Sequence, residues 1–468
     1  MQLKIFLANL FLVFNKRHHL KHLRFVKKFI QTLKNIWSIE ELRSKILVTL
    51  TLVAVYRLGT HIVLPGMNPT LINTAGSGTG IIGLIDAFAG GAFSQASILA
   101  LGIMPYISAS IFMQLMTILY PPFQKLQKEG ESGRKKINQY TRYLAVFVTI
   151  LQANAYVSYL YQTNGPAMIP AFRDLFRIST TVILTGGTLF VMWLSERITD
   201  KGLGNGSSVV IMVGILARLP QSIWQEWGAQ SAKGGAGLLY FVIMLAVLVA
   251  IIMGLIVLIQ GVRKIPVQYA KQIVGNRQFG GARQFLPMKV NSAGVMPIIF
   301  AQAIMFLPTL LSGFETTKGV AKVFSDHSNY WYMLVYAVMV IGFTFLYTAL
   351  IFNPKQIADD LKRNNGFIPG VKPGQPTADY IGAVMDKITL PGAVLLAVVG
   401  ILPGFAQRLG IQPGFSTFFG GTSLLIMVGV ILDTLQQIET QLLMRQYDGL
   451  MKSGRIQGRQ TVSPASSM

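Results

Sequence analysis

From Ile98 to Leu119 the chain carries 22 residues without a single charge. As one α-helix such a run is about 33 Å long, enough to cross the hydrocarbon core of a bilayer, which is about 30 Å thick. Similar stretches recur, and together they predict ten spans: Ile46–Leu64, Ile98–Leu119, Arg142–Tyr161, Ile178–Leu194, Ser207–Leu219, Leu238–Gln260, Ala293–Leu311, Tyr330–Phe352, Ile388–Leu402 and Thr422–Leu443. Composition agrees, since charged residues are only 13% of the chain, about half the usual share. The ten spans divide five and five at the polar stretch Pro220–Gly237. An odd number per half inverts the second half relative to the first, which places a working site at their interface near the midplane. The expected fold is therefore all-α and polytopic, with ten transmembrane helices in two inverted five-helix halves. In order come an N-terminal segment (1–45), a first half (46–219), an external hinge loop (220–237), a second half (238–443) and a tail (444–468).

Charge supplies the orientation. If the N-terminal segment, alternate loops and the tail share one side, 33 Lys and Arg lie there, seven lie opposite, and Arg57 sits inside the first span. Basic residues accumulate on the cytoplasmic side, so both termini are expected in the cytoplasm. The first apolar patch, ending at Phe14, precedes most of its charges and lacks a small-residue cleavage site, so it does not read as a signal peptide. Ser38-Ile39-Glu40-Glu41 reads as a capping box opening the first span. The loop after the sixth span holds six basic residues (Arg263, Lys264, Lys271, Arg277, Arg283 and Lys289) and no acidic one. One-sided charge of this kind favours an acidic partner.

Catalytic and metal chemistry find no support. The chain has no cysteine, five histidines of which three fall in the first 22 residues, and no triad, zinc or nucleotide motif. No cofactor is expected, and the chain does not read as an enzyme. Asp433 and Glu439 are the carboxylates in or at the edge of the last span. An intramembrane carboxylate points to function by default, while the plainer reading of Asp433 is a buried, hydrogen-bonded residue near the cytoplasmic side.

Before the second span, Gly80 to Phe93 is too short and glycine-rich to cross a membrane. At membrane depth such a piece survives only against protein or a water-filled cavity. Ile103 and Ile107, four apart, share one helix face. The string Asp86-Ala87-Phe88-Ala89-Gly90-Gly91-Ala92, followed by Ala100-Leu101-Gly102-Ile103-Met104-Pro105-Tyr106-Ile107-Ser108-Ala109-Ser110-Ile111, resembles the plug and second span of the SecY/Sec61-alpha family of translocon channels. The resemblance extends over about residues 27–455 and leaves residues 1–25 outside it.

That resemblance implies a central pore between the halves, in the bacterial inner (plasma) membrane. It implies an apolar pore ring at Ile103, Ile107, Ile211, Ile299 and Ile426, with Ser207 at a sixth position that is usually aliphatic. Branched apolar side chains at a narrow neck expel water and ions yet move aside for a polypeptide. The plug would include Leu84, Ile85, Asp86, Phe88, Gly90 and Gly91, and a lateral gate toward lipid would involve Ser108, Gln152 and Gln302. Arg263, Lys264, Lys271, Arg277, Arg363 and Lys372 would dock the ribosome and the SecA ATPase. Lys372 stands where the family usually has arginine, which keeps the charge and loses the fork geometry. SecE and SecG would be small partner subunits, signal peptides and nascent polypeptides the cargo, and membrane lipid the lateral destination. Two rivals remain open: a secondary transporter with inverted repeats, which normally needs intramembrane ionisable groups for coupling, and a nucleic-acid-binding membrane protein suggested by the net charge of +23.

Overall fold

The first expected span is a helix, α1 (Glu40–Thr60). Glu40 and Glu41 fall in its first turn, where the helix dipole favours negative charge. The N-cap is Ile39, which makes no side-chain cap bond, so the expected capping box does not form. The computed structural model of the protein describes residues 37–72, 86, 88–169, 173–269, 272–274, 277–279, 283–310 and 329–452.

The second span departs furthest from expectation. Its helix, α2 (Met104–Leu119), starts six residues late. Pro105 in its first turn has no N–H to give, and mid-helix its ring would clash with the preceding turn, so it is accommodated by starting the helix there. Gly102 immediately before adopts φ 53°, a left-handed conformation glycine tolerates. Residues 89–103 wind as turns instead. With 16 residues, α2 is about 24 Å long and does not cross a bilayer unaided.

The chain continues through α3 (Pro121–Lys128), α4 (Glu131–Thr163), α5 (Arg173–Lys201), α6 (Gly206–Ser231) and α7 (Gly235–Gln260), then α8 (Met296–Leu310) and α9 (Tyr330–Ile351). After α10 (Pro354–Arg363) come α11 (Gln375–Arg408), the short α12 (Pro413–Ser416) and α13 (Gly421–Lys452). Seven of the described helices (α4, α5, α6, α7, α9, α11 and α13) are long and apolar enough to cross a membrane. The shorter α1, α2 and α8 occupy the places expected of the first, second and seventh spans.

The basic loops add strands to this mostly helical chain. β1 (Val262–Tyr269) pairs antiparallel with β4 (Arg283–Lys289) and with β5 (Gly366–Phe367), while β2 (Gln272–Val274) and β3 (Arg277–Phe279) form a separate hairpin. The loops after the sixth and eighth spans thus become one folded cap. Ile265 and Val267 point inward from β1 and are buried with Met288, Leu361, Ile368, Ile381 and Met385.

The halves meet unequally. α6 packs extensively on α7 and α13, and α7 on α13, whereas no extensive packing joins α2 or α4 to α8 or α9 among the described residues. The expected hinge loop is largely helix: α6 runs through Pro220 to Ser231 before a brief turn. Glu226 on that extension is fully buried. Its carboxylate accepts hydrogen bonds from Gln230 Nε2 (2.7 Å) and from the backbone N–H of Gln412 (2.8 Å), tying the first half to the turn before α12. Glu226→Ala would leave the buried Gln230 amide without this partner, at a cost of about 1–3 kcal/mol, and would remove the tie to Gln412. We expect a lower thermal unfolding midpoint for the purified protein in detergent, with Glu226→Gln affected less.

Candidate functional site

Four of the five isoleucines expected to form the ring converge on one apolar cluster. Ile103 and Ile211 are buried in it, and Ile107 and Ile426 pack against its edge. Ile103 is the N-cap of α2 and Ile107 lies one turn on, its N–H bonded to the Ile103 carbonyl. Ile211 comes from α6 and Ile426 from α13, so the cluster spans both halves. Ile299 on α8 is half-buried and stands outside it. Ser207 is in the first turn of α6, and its hydroxyl donates to Asn205 Oδ1 at 2.6 Å, part of the helix cap.

Phe88, from the segment expected to be the plug, enters the same apolar cluster. Leu84 and Ile85 lie outside the described residues. From residue 88 onward the segment is pressed between α1, α4 and α6. Tyr156 of α4 donates to the Phe93 carbonyl at 2.7 Å, and their rings lie 4.4 Å apart. Arg57 of α1 donates from Nη1 to the Gly90 carbonyl at 3.1 Å. Gly90 and Gly91 take φ 67° and 90°, so each needs glycine's freedom. Gly214 of α6 faces the Phe88 carbonyl so closely that a Cβ there would approach it to 2.5 Å.

Asp86 is fully buried. Its Oδ1 accepts the Ser94 N–H at 2.8 Å, and its Oδ2 lies 2.6 Å from Arg218 Nη2 of α6. Charge proximity is met there without good hydrogen-bond geometry, since Oδ2 accepts no hydrogen bond. The sequence reading missed Tyr56, Arg57, Gly214 and Arg218 as parts of this site. The available signal was an arginine inside or at the edge of an otherwise apolar run, which the charge tally absorbed as topology.

The expected seam residues are not joined to one another. The Ser108 hydroxyl donates to its own helix at the Met104 carbonyl (3.1 Å), Gln302 Oε1 accepts from Thr422 of α13 (3.5 Å), and Gln152 is half-buried on α4. A different bond crosses the sparse side between the halves: Tyr347 of α9 donates to Gln114 Oε1 of α2 at 3.3 Å. Asp433 is exposed on α13 rather than buried.

On the cap, Arg263 and Lys264 are exposed on β1, Arg363 is exposed in the last turn of α10, and Lys372 is exposed after β5, its carbonyl accepting from Thr377. Arg277 lies on β3, and Lys271 lies outside the described residues. Among the described residues no cluster of His, Asp or Glu is arranged to hold a metal ion.

An apolar cluster alone does not identify a channel, but the whole chain compares with known ones. The sequence model of SecY matches residues 97–435, well over half of the chain. The chain belongs to the SecY family. It is 41% identical over 449 residues to the protein translocase subunit SecY of Mycobacterium bovis, covering 91% of this chain and 99% of that protein. Its fold resembles a solved protein-conducting channel with a TM-score of 0.58 at 14% identity, covering 85% of this chain and 92% of that one. Sec61 in a canine ribosome-channel complex gives 0.55 at 13% identity, over 85% and 92% of the two chains. As a SecY-family member the chain is a multi-pass protein of the bacterial membrane and a channel subunit of the protein translocase, a channel and not an enzyme.

Gly214→Ala tests the plug contact. The new methyl meets backbone, which cannot swing aside as a side chain would, and overpacking of this kind costs about 1–3 kcal/mol. We expect the resting conductance of the reconstituted channel to rise; conductance equal to wild type would show that α6 does not seat the expected plug through this contact.

Proposed function

We propose that this channel passes unfolded secretory polypeptides across the bacterial inner membrane and releases apolar segments sideways into lipid. The observation that carries the reading is the apolar cluster in which Ile103, Ile107, Ile211 and Ile426 from both halves meet Phe88 of the plug. An apolar neck of this kind excludes water and ions while its side chains remain able to part. Lateral release follows from the sparse side between α2 and α9, where the Gln114–Tyr347 bond is the crossing contact named above. An interhelical bond in a membrane is worth about 0.6–2 kcal/mol, which an inserting signal peptide or apolar segment of a nascent polypeptide can outweigh.

The driving energy comes from outside the chain. The folded basic cap is the docking surface for the ribosome and the SecA ATPase, and small SecE and SecG subunits complete the complex. Both termini face the cytoplasm, on the side where basic residues concentrate. A coupled transporter is disfavoured, because the two fully buried carboxylates among the described residues both have structural engagements: Asp86 with Arg218 and Ser94, and Glu226 with Gln230 and Gln412.

Two experiments test the reading. Ile103→Asn and Ile211→Asn should raise ion leak through reconstituted channels while proteoliposomes remain unable to concentrate small solutes. Unchanged leak together with solute uptake would favour the transporter. Reversing charge at Arg363 and Lys372 to Glu should weaken ribosome binding about tenfold at low salt and less at high salt, as screening requires. Binding that ignores both the substitution and the salt would remove the cap from the docking surface.

A further inference from the structure

We propose that Asp86 and Arg218 form a charge latch that seats this segment against the isoleucine cluster, and that the latch parts only when water enters its pocket. The proposal rests on the channel reading above. The side chain of Asp86 is 0% exposed and that of Arg218 is 28% exposed, with 2.6 Å between Oδ2 and Nη2. The other carboxylate oxygen accepts the Ser94 N–H at 2.8 Å, and the Asp86 carbonyl accepts from Gly91 at 2.9 Å, so the charge is built into the fold of the segment itself. A second arginine from another helix reinforces the seat, with Arg57 Nη1 on the Gly90 carbonyl at 3.1 Å. Thus α1 and α6 each present a guanidinium to a segment whose one described acidic residue is Asp86.

A buried ion pair is an uneconomical way merely to glue two elements together, since well-packed apolar groups do so without desolvating charges. What it adds is a two-state response. In dry surroundings the attraction between the charges is strong, and in water it is weak. Parting them in a dry pocket leaves a carboxylate and a guanidinium uncompensated; parting them in a wet one leaves two hydrated ions. Partial displacement is therefore disfavoured, and the segment is either seated or released. The exposed part of Arg218 gives water its way in. An unfolded polypeptide at the constriction carries hydrated backbone to the pocket, and that hydration is the release signal.

The test uses the full-length protein in planar bilayers, read as resting conductance. Asp86→Asn and Arg218→Gln should each raise the leak on the order of tenfold, and the double variant should leak no more than either single one, because the residues act as one unit. The exchange Asp86→Arg with Arg218→Asp should recover part of the closure. Because the chain has no cysteine, a second readout is clean. Ala92→Cys, buried beside the latch, should resist a membrane-impermeant maleimide in the wild-type background and react when combined with Arg218→Gln. Ala397→Cys, buried in the core of the second half, should stay protected in both, which separates release from unfolding. Ile211→Asn serves as the control for the channel. If it leaks while both latch variants stay silent and Ala92→Cys stays protected, the latch is overturned. Leaks that simply add in the double variant overturn it as well. If Ile211→Asn is itself silent, the isoleucine constriction falls first and the latch falls with it.

Discussion

A bilayer offers no water to a backbone amide, so every N–H and C=O at membrane depth must find its partner within the protein. Helices meet this demand alone. The segment from Ala89 to Ile103 does not, and the first half is arranged around satisfying it. Leu64 N–H reaches the Ala96 carbonyl and Ile98 N–H the Ile62 carbonyl, so the end of the first span and the approach to the second pair like strands. Tyr156, Arg57 and the Asp86 carboxylate supply side-chain partners for Phe93, Gly90 and Ser94. The cost of a non-helical stretch is met by three neighbouring spans, and what results is a segment held by many directional contacts that can all be replaced by water. The plug proposed above needs that combination, seated when dry and separable when wet.

The same demand explains how much of this was legible in the residues. A long unbroken apolar run satisfies its own backbone in lipid only as a helix, so the places of the long helices could be read from hydropathy. Their ends could not. The uncharged run from Ile98 gives no hint that its first turn is unwound; only the Gly102 and Pro105 pair marks it, and the proline reads equally well as a helix interior in a membrane protein. Pro220 misleads in the opposite sense, since α6 continues through it, as spanning helices do where neighbours re-satisfy the freed carbonyl. In the basic loop, inward Ile265 and Val267 alternate with outward Lys264 and Pro266, a period of two that signals a strand. Prolines at 266 and 287 hide it.

Side-chain partners were the least legible, because they join residues far apart in sequence. Gln302 on α8 points to Thr422 of its own half, while the bond across the seam uses Gln114 and Tyr347, 233 residues apart. Nothing local to either residue announces the other. Arg218 is similar: charge counting treats it as a loop residue on the external side, whereas its partner is the buried Asp86. Resemblance to the family could nominate ring positions because they carry a recognisable residue type, and four of those five meet in one cluster. It could not mark contacts that depend on which two side chains meet.

The unequal contact between the halves gives these local interactions a direction. On one side α6, α7 and α13 pack along their lengths, Glu226 fastens α6 to the turn after α11, and Gln437 of α13 accepts from the Gly204 N–H just before α6. On the other, α2 faces α9 across a sparse contact with the Gln114–Tyr347 bond. Interfaces and packed cores switch between discrete arrangements more readily than they stretch. In the proposed mechanism the halves therefore turn about the α6–α7 side, and the α2–α9 side parts first. Ile103 and Ile107 belong to α2 and its N-cap, so the motion that opens the seam also carries two ring residues away from Ile211. Because α6 bears Ile211, Gly214 and Arg218 on successive turns, the constriction, the plug contact and the latch share one rigid element. Lateral release and pore opening are then two consequences of one displacement.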